Sequence, residues 1–236
     1  MIKVTRATLA IAAAVAVAAT TLLAGAPAHA ADDTTVDKVK SEVTRRIELR
    51  LAALTRFEAS VTGAKNLTDA HQATLGALIA DDRAGLAALK AKVAGETTLT
   101  ALKADAKSMV DDYRIFILVG PKVRLSIAGD AEAAAIARLT TLHAKLTELV
   151  AAAKSAGKDT AAAEQDLAAM KAAVDKASAD IDGKVAVLLG ISPGPDGAAI
   201  RAQVAGVRAG LHTGRASIRT AVAEAKQVRA FLKSLG

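Results

Sequence analysis

The cations of the last forty positions are the residues best placed to do chemistry. Residues 197–236 carry Arg201, Arg208, Arg215, Arg219, Lys226, Arg229 and Lys233 against one acid, Glu224, a net charge of +6. Residues 31–196 hold 22 basic and 23 acidic side chains and sum to −1. Arg201, Arg208 and Arg215 are spaced by seven, and so are Arg219, Lys226 and Lys233. On a helix advancing about 100° per residue, these six fall within about 40° of one another. Ile200, Val204, Leu211, Ile218 and Val222 form an apolar stripe beside them. Such a ridge has two readings. Its Arg stems can cover the seam of an ordinary packed helix, or its charged heads can form a docking face for an anionic wall polymer or anionic membrane lipid.

The other reactive residue types make no such pattern. His71, His143 and His212 lie far apart and have no His or Cys partner at ligand spacing, so they imply no metal site and read as solvated or helix-edge side chains. Asp81-Asp82 and Asp111-Asp112 are adjacent pairs. On a helix, neighbours point about 100° apart and do not make a two-carboxylate hydrolytic site by themselves. There is no Gly-x-Ser-x-Gly, phosphate-cradling Gly loop or zinc-protease helix, and no Cys. The chain reads as a non-enzyme without a cofactor.

The elements that must position the ridge are helices. Hydrophobic residues make up 52% of the chain but aromatics only 2%. The apolar mass is therefore mostly Ala, Val and Leu, which suits long helices packed through small side chains. Residues 1–30 read as an export signal: Lys3 and Arg6 precede an apolar Leu9–Leu23 core, then Pro27 and an Ala28-His29-Ala30 cleavage site. The apolar run is shorter than the ~20 residues a membrane span needs. The expected product is 31–236, secreted or extracellular and possibly held at the cell wall non-covalently.

Within it, Val36, Val39, Val43, Ile47, Leu51, Leu54, Phe57 and Val61 recur about every 3.6 residues, predicting a first helix that Gly63 ends. A second should begin at Thr68-Asp69, with Asp69 and Gln72 as its capping box, and stop at Gly95. Its Asp82 lies on the apolar side and should pair with an Arg or Lys of a neighbouring helix. A third spans about 96–113. Then Tyr113-Arg114-Ile115-Phe116-Ile117-Leu118-Val119-Gly120-Pro121 concentrates large apolar residues and ends on Gly-Pro. Pro lacks an N–H and disfavours the α region for its predecessor. We expect a broken, kinked or extended crossover over about 114–121, with Pro121 opening the next helix. Arg114 there should bond carbonyls left open by the break or pair with Asp111 or Asp112; the alternative is a ligand site at the break.

A fourth helix, with Ile136, Leu139, Leu142, Leu146 and Leu149 inward, should reach Ser155. Another should carry Leu167, Met170, Val174, Ile181, Val185 and Leu188, and the basic helix should follow Ser192-Pro193-Gly194-Pro195-Asp196-Gly197. The fold class is all-α: elongated antiparallel helical hairpins, coiled-coil-like, in one domain of two halves, 31–120 and 121–236.

Met109-Val110-Asp111-Asp112-Tyr113-Arg114 with the apolar run and Pro121-Lys122 resembles a signature of uncharacterised secreted α-helical proteins of actinobacteria. Ala156-Gly157-Lys158-Asp159-Thr160 before Leu167 and Met170 is similar to that family's second-half hairpin, and Asp82 to Leu89 is similar as well. The resemblance implies export and a helical fold, and carries over no activity, cofactor or catalytic residue. Gly120 stands where the signature more often has a larger residue, implying a looser kink. Together these features predict a structural or interaction protein of the cell envelope. A protein partner or self-association is one expected mode and docking on an anionic surface the other. Nucleic acid fits the charge, but export and the scarcity of aromatics argue against it.

Overall fold

The computed structural model describes residues 33–235; the expected export signal lies outside them. The chain is all-α, without a strand among the described residues. Helix α1 is Asp33–Thr62, α2 Asp69–Gly95, α3 Leu99–Asp111, α4 Gly120–Ser155, α5 Ala161–Ile181, α6 Lys184–Gly190 and α7 Gly197–Ser234, with a π-helical turn at Ile115–Val119 leading into α4.

The first half is organised by α1 and α2, which run antiparallel. Arg83 reaches Glu58 at 2.7 Å and Lys90 reaches Glu48 at 2.8 Å. Val43, Ile47, Leu54 and Val61 of α1 meet Leu75, Ile79, Leu86 and Val93 of α2, and the short α3 adds Leu102 and Met109. A helix of 13 residues is marginal alone, so α3 owes its stability to that burial. The predicted α2 start is one residue late: Thr68 is the N-cap, its hydroxyl accepting from His71 N, and Asp69 is already helical. Thr wins because its Oγ reaches the third following N–H from an extended backbone.

The crossover departs most from expectation. The chain breaks at one residue, Arg114, in left-handed conformation with φ 47°, and is helical again from Ile115. Gly120 N–H donates to Ile115 O, five residues back, so the turn before the proline is widened. A Pro in a regular helix clashes with the carbonyl four residues earlier and leaves it without a donor. The π register relieves that crowding, and Pro121 stands in the first turn of α4, the place expected of it, with the π-helical turn running straight into that helix. Gly120 loosens nothing: a Cβ there would lie 2.9 Å from Phe57 Cζ, so its small size admits α1's aromatic ring.

In the second half, α4, α5 and α7 make an up-down-up bundle. Leu139, Leu146 and Val150 of α4 join Ala163, Leu167, Met170 and Val174 of α5 and Ala221, Ala225 and Val228 of α7. Leu149, expected inward, is exposed, and Val150 takes the seam. The single helix predicted through Leu188 is divided at Asp182-Gly183, where Gly183 has φ 64°, so α6 leaves the axis of α5. Leu188 and Ile191 then pack with Leu118 and with Ile200, Val204, Val207 and Leu211 of α7 in a third apolar cluster.

Candidate anionic-surface interface

Helix α7 starts cleanly because Asp196 Oδ1 accepts from Ala198 N and Ala199 N, at 3.0 and 2.9 Å. Its buried seam is Ile200, Val204, Val207, Leu211, Gly214, Ala221, Ala225 and Val228, with Ser217 beside it. This three-four alternation is a coiled-coil seam. Two of its glycines admit close neighbours, Gly214 a stiff β-branched side chain and Gly210 the movable end of a lysine. A Cβ at Gly214 would fall 2.3 Å from Ile181 Cγ2, and one at Gly210 2.7 Å from Lys184 Cε. Gly214 thus sets the close approach of α5. Val222, assigned to the stripe from its type, is exposed, because Ala221 and Ala225 occupy the seam positions around it.

Beside this seam, Arg201, Arg208, Arg215, Arg219, Lys226 and Lys233 are all exposed, on the face the spacing indicates. They are not equivalent. Arg215 is tied to α4, its Nε donating to Glu132 Oε1 at 2.9 Å and its second nitrogen reaching the same oxygen at 2.8 Å. Glu132 is buried, and burial pushes its carboxyl upward while Arg215 opposes that shift. Arg215 is therefore a fastening between helices. The remaining five make no ion pair among the described residues. Over 32 residues the ridge extends about 48 Å.

Three polar clusters lie away from the ridge, and sequence spacing reveals none of them fully. Arg114 Nε donates to Gly194 O at 2.7 Å, and its second nitrogen donates to Pro195 O at 2.6 Å and to Asp111 Oδ1 at 2.7 Å. The Asp111 pairing follows the sequence reading, but the carbonyls belong to the Pro-Gly-Pro loop and not to the helix break. His71, expected to be solvated or at a helix edge, stands in the first turn of α2 and faces buried Asp130 with Nδ1 2.9 Å from the carboxylate, and Thr68 N donates to the same group at 2.8 Å. Asp130 thereby anchors the start of α2 to α4.

Asp82 does not make the hydrogen-bonded ion pair expected of it. Its Oδ2 is buried without a hydrogen-bond partner, while Lys122 donates to Leu189 O at 2.8 Å. Burial raises the Asp82 carboxyl to about 6, with the Lys122 charge acting against the shift and Asp81 reinforcing it. The same burial lowers the Lys122 ammonium. Tyr113 closes the cluster by lying over Gly85, where a Cβ would come within 2.5 Å of its hydroxyl.

The chain matches no protein-family model, and neither a curated protein nor a solved structure is significantly similar to it. Its function has to be argued from its own geometry. A concavity of about 570 Å³ is lined by α1 alone and is not enclosed between elements. No group of three or more metal-ligating side chains occurs among the described residues. No described helix is long and apolar enough to cross a membrane.

Proposed function

We propose that this chain is an exported, non-catalytic helical interaction protein of the cell envelope or extracellular space, and that it docks on an anionic surface through α7. The observation that carries this reading is the set of five exposed ridge cations, Arg201, Arg208, Arg219, Lys226 and Lys233, without acidic partners. Arg215 is neutralised within the fold by Glu132, whereas these five heads stand in water and are open to an external anion. Most neighbouring cations stand about 10 Å apart along the axis, close to the ~8 Å screening length at physiological salt. Repeating phosphates or carboxylates of a wall polymer, or anionic lipid headgroups, match that linear array. Export is supported by the charge, apolar core and cleavage pattern of residues 1–30. The scarcity of aromatics for base stacking speaks against nucleic acid.

Co-sedimentation of the purified protein with cell walls, anionic vesicles and neutral vesicles tests the reading. Binding to walls or anionic vesicles should fall steeply as salt rises from about 50 to about 500 mM. It should also be lost on reversing Arg208 and Arg219 together to Glu. The wall and vesicle arms tell polymer from lipid. Binding that ignores salt and the double reversal would leave α7 as a packing helix and direct attention to a protein partner or self-association.

A further inference from the structure

A cavity of about 210 Å³ opens where the π-helical turn meets α1 and α7. Arginines from three elements converge there: Arg50 of α1, Arg114 at the break and Arg201 of α7, with no carboxylate in the lining. Asp111 balances Arg114, whose other contacts hold it to the Pro-Gly-Pro loop. Arg50 and Arg201 have no acidic partner among the described residues. Arg50 Nη1 donates to Arg46 O at 3.0 Å, and its guanidinium carbon stands 5.3 Å from the centroid of the Phe116 ring. Burial first, and the Arg46 charge second, lower its affinity for its proton, so a counter-charge at this place would be stabilising.

The other wall is apolar. Ile115, Phe116 and Ile117 line it, and Phe116 is 53% exposed in a chain with only three Phe. The backbone beneath combines a non-Gly residue at positive φ with a π turn.

We propose that this cavity binds a compact amphipathic carboxylate, its head between Arg50 and Arg201 and its apolar body against Phe116 and Ile117. Paired guanidinium donors suit a planar carboxylate. The volume lies below the ~300 Å³ at which drug-sized sites begin, so the ligand is about the size of one ring or a short acyl chain. This site shares Arg201 with the docking ridge and uses none of its other cations.

Phenylacetate is the probe, compared with benzyl alcohol (body without charge) and inorganic phosphate (charge without body), by equilibrium dialysis and proton NMR of the protein at physiological salt. The proposal expects one saturable phenylacetate site per chain and displaced Phe116 ring signals. It also expects an affinity weakened about tenfold or more by Arg201→Glu and by Phe116→Ala, but unchanged by Lys226→Glu. Arg201 and Phe116 are both exposed, so these variants retain the fold. Absence of saturation below about 10 mM would overturn the proposal. Equal weakening by Lys226→Glu would overturn it too, as would benzyl alcohol or phosphate binding as tightly as phenylacetate. None of these outcomes depends on whether walls or vesicles bind α7.

Discussion

Arg114 Nε donates to the carbonyl of Gly194 across 2.7 Å, joining positions separated by 80 residues. The same side chain bonds Pro195 O and Asp111. One residue therefore ends α3, begins the helical passage into α4 and fixes the loop from which α7 departs. Its left-handed backbone is the cost of aiming the guanidinium at that loop.

Backbone and side chain can be separated at this position. Arg114→Ala should destabilise the fold by roughly 3 kcal/mol, since charge-assisted bonds to a loop are lost while the strained φ remains. Arg114→Gly loses the same bonds but relieves the strain, so it should be more stable than the Ala variant by about 1 kcal/mol. Urea unfolding of the two variants reads the difference directly.

Asp82 should make stability fall with rising pH. Its carboxyl is raised from the ordinary value near 3.8 to about 6 by burial. The folded state thus holds the proton more tightly than the unfolded chain. Its contribution is fully present below the unfolded value and is lost as pH climbs through about 6. Relative to Asp82→Asn, the wild type should lose roughly 1–2 kcal/mol between about pH 4 and pH 7, solvent around the half-buried carboxyl screening part of the shift. Urea midpoints of both proteins across that interval check the sign and isolate this group from other carboxylates.

The glycines of α7 should respond oppositely to one methyl group. Gly214→Ala places a Cβ 2.3 Å from Ile181 Cγ2 and should cost about 1–3 kcal/mol. Gly206 meets nothing within 4 Å, so Gly206→Ala should stabilise by about 0.5–1 kcal/mol through helix propensity. Thermal unfolding of the pair tests whether close helix approach, and not glycine content as such, governs this helix.

Arg215 and Arg208 should separate stability from docking. Arg215→Glu opposes buried Glu132 with a like charge and should destabilise by roughly 3 kcal/mol. Arg208→Glu should shift stability by no more than about 0.5 kcal/mol while weakening salt-sensitive surface binding. Denaturation curves beside co-sedimentation distinguish the two roles.

Much of the architecture was legible because the large apolar residues keep a 3.6-residue period, and because Gly95, Gly157 and the Pro-rich loop sit at real boundaries. What misled was chemistry acting over long separations. The Gly-Pro at 120–121 reads as the end of a broken passage from 114, yet the chain is helical from Ile115, and Gly120 is there to admit the ring of Phe57, over sixty positions earlier. Ala221 and Ala225 occupy the seam where type alone favoured Val222, since small residues bury without announcing themselves as hydrophobic. The ridge on α7 was visible from its heptad spacing. Its division into one fastened and five free cations was not, because Glu132 lies 83 residues from Arg215. That Arg50 and Arg201 meet at Phe116 carried no local signal, because the three residues stand on separate elements.

Helix α4 belongs to more than one core: Val123 is buried among α1–α3, while Leu139, Leu146 and Val150 are buried against α5 and α7. Its 36 residues span about 54 Å without a hinge. It therefore acts as a strut. A force applied to α7 would reach the first helices through a stiff member, resisted by side-chain packing at both ends of that rod and not by a yielding linker.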